Sequence, residues 1–99
     1  MNLKKLHHVA IIGSDYKIDL QLDDIELELF IATNHPARVS YPEAYGLRHL
    51  AFWVESVEET VKELNEKGIS TEPIRIDDYT GKKMTFFFDP DGLPLEIHE

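Results

Sequence analysis

Leu47-Arg48-His49-Leu50-Ala51-Phe52 matches Leu6-His7-His8-Val9-Ala10-Ile11 position by position. A second match follows in the same order: Leu93-Pro94-Leu95-Glu96-Ile97 against Ile25-Glu26-Leu27-Glu28-Leu29. Each half therefore opens on a strand-like run with a histidine and closes on one with a glutamate. Two ordered matches mark a duplicated module. The copies differ in length. His8 to Glu28 is 20 positions and His49 to Glu96 is 47, so the first copy is 27 positions shorter.

The surrounding sequence supplies the elements. His8 to Ile12 reads as a short buried strand stopped by Gly13-Ser14-Asp15. Ile18, Leu20 and Leu22 alternate with polar residues, as do Ile25, Leu27 and Leu29, with Asp23-Asp24 between them. That pattern predicts a hairpin of two half-buried strands. Leu47 to Val54 reads as a strand. Ser56 with Glu59 forms a capping box at the start of a helix whose Val57, Val61 and Leu64 share one face, and Gly68 ends it. Pro73 to Ile76, Met84 to Phe88 and Leu93 to His98 read as extended, with turns at Tyr79-Thr80-Gly81-Lys82 and Asp89-Pro90-Asp91-Gly92. The second half is thus β-α-β-β-β and the first β-β-β, short of a helix and the strand after it. The expected organisation is an abbreviated first module over 1–33, a proline-bearing linker loop over 34–46 and a full module over 47–99, together one α+β domain.

Side chains alternate faces along a strand. His8 shares a face with Ala10 and Ile12, and His49 with Ala51 and Trp53. Glu28 shares a face with Glu26 and Phe30, and Glu96 with Pro94 and His98. If the modules pair face to face, two histidines and two glutamates converge. Such an N/O set suits Zn, Ni, Co, Mn or Fe as a divalent ion and leaves coordination positions for water or substrate. His7 could replace His8, and Glu26 lies two residues from Glu28 on the same face. The repeat favours His8, Glu28, His49 and Glu96.

These residues carry a resemblance. Leu47-Arg48-His49-Leu50-Ala51-Phe52, followed by Asp89-Pro90-Asp91-Gly92-Leu93-Pro94-Leu95-Glu96, resembles the glyoxalase I / vicinal oxygen chelate (VOC) superfamily. Pro36-Ala37-Arg38 and Pro42-Glu43-Ala44-Tyr45-Gly46 narrow it to the small bacterial glyoxalase-like branch of lactoylglutathione-lyase type. The resemblance implies paired βαβββ modules, with the first lacking its helix and following strand between Ser14-Asp15-Tyr16 and Lys17-Ile18-Asp19. It implies metal ligands at His8, Glu28, His49 and Glu96, and a homodimer or higher homo-oligomer. It also implies an isomerisation of a small vicinal-oxygen substrate, with a thiol as cosubstrate. Glu96 or Glu28 would move the proton while the metal stabilised an enediolate. The alternative is a non-catalytic metal- or ligand-binding module, or a shortened scaffold.

Composition bounds the rest. The chain has 99 residues, 10 Lys plus Arg and 19 Asp plus Glu, for a net charge of −9. That balance opposes nucleic acid and anionic membrane partners. With no cysteine, disulfides, thiolate catalysis and zinc ribbons are excluded. No apolar run is long enough to cross a membrane, and a cytoplasmic location is the default. Neither a Ser-His-Asp triad context nor a phosphate-cradling glycine loop is present. His35 and His98, without repeat partners, read as surface residues. Arg48 reads as tied to a loop carboxylate, and Trp53 with Phe86 to Phe88 as core. Ile18, Leu20, Leu22, Ile25, Leu27 and Leu29 would line a sheet face with no local helix to cover it, which another subunit would have to do.

Overall fold

A computed structural model of the chain describes residues 1–15 and 20–99. In chain order the elements are β1 (His8–Gly13), β2 (Glu26–Ile31), β3 (Leu50–Trp53), α1 (Val57–Glu66), β4 (Arg75–Ile76), β5 (Lys83–Phe88) and β6 (Pro94–His98). They form two compact units, Met1–Pro36 and Ala37–Glu99. The boundary falls inside the loop expected over 34–46.

The second unit is a four-stranded sheet in the order β3-β6-β5-β4 with α1 on one face. β6 runs parallel to β3 and antiparallel to β5. The core lies on the helix side, where Val57, Leu64, Phe87, Leu93, Leu95 and Ile97 are buried. α1 begins where the sequence places it. Ser56 Oγ accepts from the Glu59 amide at 3.2 Å, and Glu99 Oε2 accepts from the Val57 amide at 2.9 Å, so the end of the chain also caps the helix. At its C-terminus, Gly68 (φ 79°) donates to Asn65 O, and Ile69 donates to Leu64 O. This is a Schellman ending, for which glycine's freedom at positive φ is the requirement. The Asp89 carboxylate accepts from the Asp91 and Leu93 amides at 2.9 and 2.8 Å. That turn closes the β5–β6 hairpin.

The first unit is a two-stranded sheet in which β1 and β2 run parallel. This replaces the expected hairpin. Leu20 to Leu22 carry no strand, and 16–19, where the implied junction and Ile18 fall, lie outside the described residues. The repeat nevertheless holds to the residue. Val9 pairs with Leu27 and Ala10 with Glu28, as Leu50 pairs with Leu95 and Ala51 with Glu96. β1 and β2 are thus the counterparts of β3 and β6, the first and last strands of the full module.

Two burial expectations are corrected. Leu20, Leu22, Ile25, Leu27 and Leu29 are half-buried, not bare. Exposed apolar side chains occur on both faces, Ile12 at 57% and Phe30 at 54% on one and Ile31 at 58% on the other. In the second unit only Phe87 of the expected aromatics is core. Phe86 is half-buried, Phe88 is exposed, and Trp53 is 72% exposed.

His98, read from sequence as a surface residue, ties the last strand to the β4–β5 turn. Its Nε2 donates to Asp77 Oδ2 at 2.9 Å and its Nδ1 to Glu99 O at 2.6 Å. Both bonds are made at once only by the imidazolium. The Asp77 hydrogen bond and then the Glu99 carbonyl hold the His98 pKa above its ordinary value. The His98 hydrogen bond and then the Tyr79 amide hold Asp77 below its own. The raised histidine contributes stability that is complete below about pH 6.5 and lost as pH rises through its folded pKa. The depressed carboxylate contributes stability that is lost as pH falls through its folded pKa. Asp77→Asn in metal-free protein is therefore expected to lower the urea midpoint most at about pH 5–6 and least near about pH 9. An equal loss at both pH values would show that the pair is not charged.

Candidate metal centre and cleft

The parallel β3–β6 pairing dictates which side chains share a face. Ala51 is in register with Glu96, and Glu96 with Phe86. His49, one residue before β3, projects to the same side as Ala51. The alanine leaves room beside the carboxylate. His49 Nε2 stands 3.9 Å from Glu96 Oε1, with side chains 30% and 14% exposed. The His49 ring meets Phe86 edge to face, centroids 5.2 Å apart at 86°, a favourable aromatic geometry that fixes the imidazole plane. Arg75 lies over the Phe86 ring, its guanidinium carbon 5.4 Å from the centroid.

In the first unit the same parity puts His8, Ala10, Ile12, Glu28 and Phe30 on one face. His8 is exposed and Glu28 half-buried. His7, the sequence-level competitor of His8, has its Nδ1 3.0 Å from His8 Nδ1. Glu26, the competitor of Glu28, is exposed. The four candidates thus form two pairs, one in each unit, on equivalent faces. Among the described residues no three His, Cys, Asp or Glu side chains form a group that could hold a metal ion. His35 is exposed.

The His49–Glu96 pair can be tested for fit. Two ligands of one ion at 2.0–2.2 Å stand roughly 2.9–3.4 Å apart. The observed 3.9 Å closes to that by a small side-chain rotation, and an imidazole with a carboxylate is the donor chemistry of first-row divalent ions. The residues fit one half of such a site.

An open cleft of about 700 Å³ is lined by His49 of this pair. Its walls include Arg38, Tyr41, Tyr45, His49, Arg75, Phe86 and Phe88. The loop on one side is pinned by Arg48, whose Nε and Nη2 donate to the Glu43 carboxylate at 3.0 and 3.2 Å. Arg48 is therefore the loop tie that the sequence suggests. On the other side, the buried Thr85 hydroxyl donates to Glu72 O at 2.8 Å, and the Glu72 amide donates to Phe86 O. These bonds hold the segment that carries Arg75 against the sheet. Sequence reasoning missed Arg38, Arg75 and Phe86 as site residues. Nothing in their local pattern departs from a loop cation, an edge-strand cation and a core aromatic.

The model of the Glyoxalase/Bleomycin resistance protein/Dioxygenase superfamily matches residues 13–97. The uncharacterized protein YwkD of Bacillus subtilis (strain 168) is 47% identical, over 100% of this chain and 99% of its own length. The uncharacterized protein YaeR of Escherichia coli (strain K12) is 39% identical, over 100% and 98%. A solved glyoxalase family protein from Enterococcus faecalis is 53% identical, covers 97% of this chain and 98% of its own, and superimposes with a TM-score of 0.85. Both curated alignments run over 127 positions against a chain of 99, which leaves 28 positions with no counterpart here. The repeat comparison gave 27. Among the described residues no helix is long and apolar enough to cross a membrane.

Proposed function

Since the chain belongs to the Glyoxalase/Bleomycin resistance protein/Dioxygenase superfamily, whose members commonly use divalent metal ions, we propose that it is a metal-dependent enzyme acting on a small vicinal-oxygen substrate. The observation that carries this reading is the 3.9 Å approach of His49 to Glu96, repeated in register by the strand pair that bears His8 and Glu28. These four residues would hold the ion. When bound, it supplies Lewis acidity toward neighbouring substrate oxygens.

The chain's own residues then move the proton. In a lactoylglutathione-lyase type isomerisation, the Glu96 or Glu28 carboxylate takes the proton from the carbon next to the carbonyl. It returns that proton to the adjacent carbon while the hydroxyl proton passes to the neighbouring oxygen, so the former carbinol becomes the thioester carbonyl and the former carbonyl the hydroxyl, and no other group is consumed. Phe86 keeps the His49 ring in place. A thiol adduct of an α-ketoaldehyde is the substrate class that this reading favours.

Assembly belongs to the same reading. A two-stranded sheet such as β1–β2 is not stable on its own in water. Both ligand-bearing faces also present large apolar side chains, Ile12 and Phe30 on one and Trp53 on the other. Covering each such side chain is worth about 1.5–3 kcal/mol. A second copy of the chain supplies that cover, so the working form is a homodimer or higher homo-oligomer.

Three outcomes check this. Metal-stripped protein, reloaded with Zn or Ni and desalted, should retain about one ion per four-ligand site by elemental analysis. His49→Ala should abolish retention while His35→Ala leaves it intact, and equal effects would end the assignment. Glu96→Gln should lose about 100-fold or more in turnover of the methylglyoxal–glutathione adduct while keeping part of its metal. Metal uptake without turnover of any thiol adduct would instead select the binding-module reading. Finally, Trp53→Lys and Ile12→Lys should each shift sedimentation toward the monomer or unfold the chain. A monodisperse monomer in the wild type would remove the assembly reading.

A further inference from the structure

The first unit holds an open strand edge and an extended arm. The Glu26 amide donates to His7 O at 3.3 Å and the Ala32 amide to Gly13 O at 3.0 Å, so the even-numbered residues of β2 turn their backbone groups toward β1. The odd-numbered ones, Leu27, Leu29 and Ile31, therefore turn theirs to the other side, where no strand lies among the described residues. The arm is residues 1–6. It carries no helix or strand and every side chain on it is exposed, Leu3 at 81% and Leu6 at 58%. Lys4 and Lys5 make it a cationic stretch in a chain of net charge −9. Laid antiparallel, arm and edge match. With Leu6 opposite Glu26 and Met1 opposite Ile31, Leu3 meets Leu29 on the same face as Met1 and Ile31. On the other face Lys4 meets Glu28, with Glu26 diagonal to it. The outward backbone groups of β2 bond to Met1, Leu3 and Lys5, which leaves Lys4 and Glu28 as a non-hydrogen-bonded pair, where side chains stand closest. A second β2 in place of the arm would set glutamates against glutamates, because the same parity faces outward on both strands.

We propose that residues 1–6 of a second copy of the chain add to the open edge of β2 as an antiparallel strand. The chain's own arm cannot take that place. Its His7 carbonyl is held on the β1 side of Glu26, and the outer edge lies two strand spacings of about 4.8 Å from β1. One Cα step of about 3.8 Å from His7 to Leu6 does not span them. Each arm runs on into its own β1, so two copies related by a twofold axis exchange arms reciprocally. The exchange turns the two-stranded β1–β2 sheet into a three-stranded one, the least that is stable with an apolar face. This contact lies at a strand edge and needs neither a metal ion nor the covering of the ligand-bearing faces, so it goes beyond the assembly proposed above.

The chain has no cysteine, so an introduced disulfide reports the pairing without background. Full-length, metal-free chains carrying Asn2→Cys are mixed with chains carrying Phe30→Cys in a glutathione redox buffer. The register makes positions 2 and 30 a non-hydrogen-bonded pair with Cα atoms about 4.5 Å apart, within disulfide range. The mixed disulfide-linked dimer should form about tenfold or more faster than from Leu6→Cys with Phe30→Cys, which the register sets four residues apart. If Phe30→Cys fails to fold, Leu6→Cys with Glu26→Cys carries the test on two exposed positions. Adding Lys4→Glu to the arm should slow the link roughly fivefold, and Glu28→Lys in the receiving chain should restore it. Lys62→Glu, on the exposed side of α1, should leave the rate unchanged. A link in chains that take up no zinc leaves the strand exchange standing and ends the metal reading. No link in chains that still sediment as a dimer overturns the exchange and leaves the face-to-face assembly standing. An equal rate at the displaced pair, or an equal slowing by Lys62→Glu, overturns it as well.

Discussion

The parallel pairing of a module's first strand with its last is the constraint on which everything else rests. Between parallel neighbours, register partners face the same side. Fixing Ala51 opposite Glu96 therefore also fixes the face of His49, and it sends Leu95 and Ile97 to the helix side, where they are buried. Core and candidate site are two faces of one register. A slip of one residue would turn Glu96 into the core and Leu95 into the cleft. The first unit shows the same pairing with a shorter connection between its strands. A parallel connection needs about a dozen residues, and twelve separate Gly13 from Glu26. The first unit thus joins its two strands with nearly the shortest chain that a parallel pair allows.

Charge is arranged against the average. The ion pairs that tie elements together, Glu58 with Lys83 and Asp77 with His98, sit away from the cleft. Lys83 holds the Glu58 pKa down and Glu58 holds the Lys83 pKa up, a surface tie of small energetic weight. Among the described residues arginine, and no lysine, lines the cleft, where Arg48 pairs with Glu43 and Arg75 with Glu72. Lysine would not serve there, because a planar fork can stack on Phe86 and still present N–H groups at its rim.

Much of this was legible in the sequence where local chemistry dominates. The Ser56 cap, the Gly68 ending and the Asp89–Gly92 turn follow from side-chain oxygens and from positive φ. Every strand of the second module follows from its apolar pattern. The repeat is mirrored in the structure because both copies keep one parallel register, with Ala10 opposite Glu28 and Ala51 opposite Glu96. What local pattern could not supply was tertiary. The alternation through Leu20 and Leu22 is the same in a strand and in an irregular segment, and residues 20–22 carry no strand. Trp53 and Phe86 alternate as core aromatics do, but nothing in one strand says which face receives the helix. His98 acquires its partner from a turn 21 residues away, and the grouping of Arg38 with Arg75 arises only when β4 folds against β5.

The reduced first sheet has one more consequence. In the second unit β6 lies between two neighbours, β3 and β5, while its counterpart β2 pairs, among the described residues, only with β1. Among the described residues, then, no strand lies beside the other side of β2, the geometry that templates strand addition and fibrillar growth. Glu26 and Glu28 alternate along it. A second β2 laid against this edge would bring carboxylates close to carboxylates, which is repulsive. The glutamate that serves as a metal-ligand candidate on the face thus also works as a gatekeeper on the edge, and neutralising it would remove both protections in one substitution.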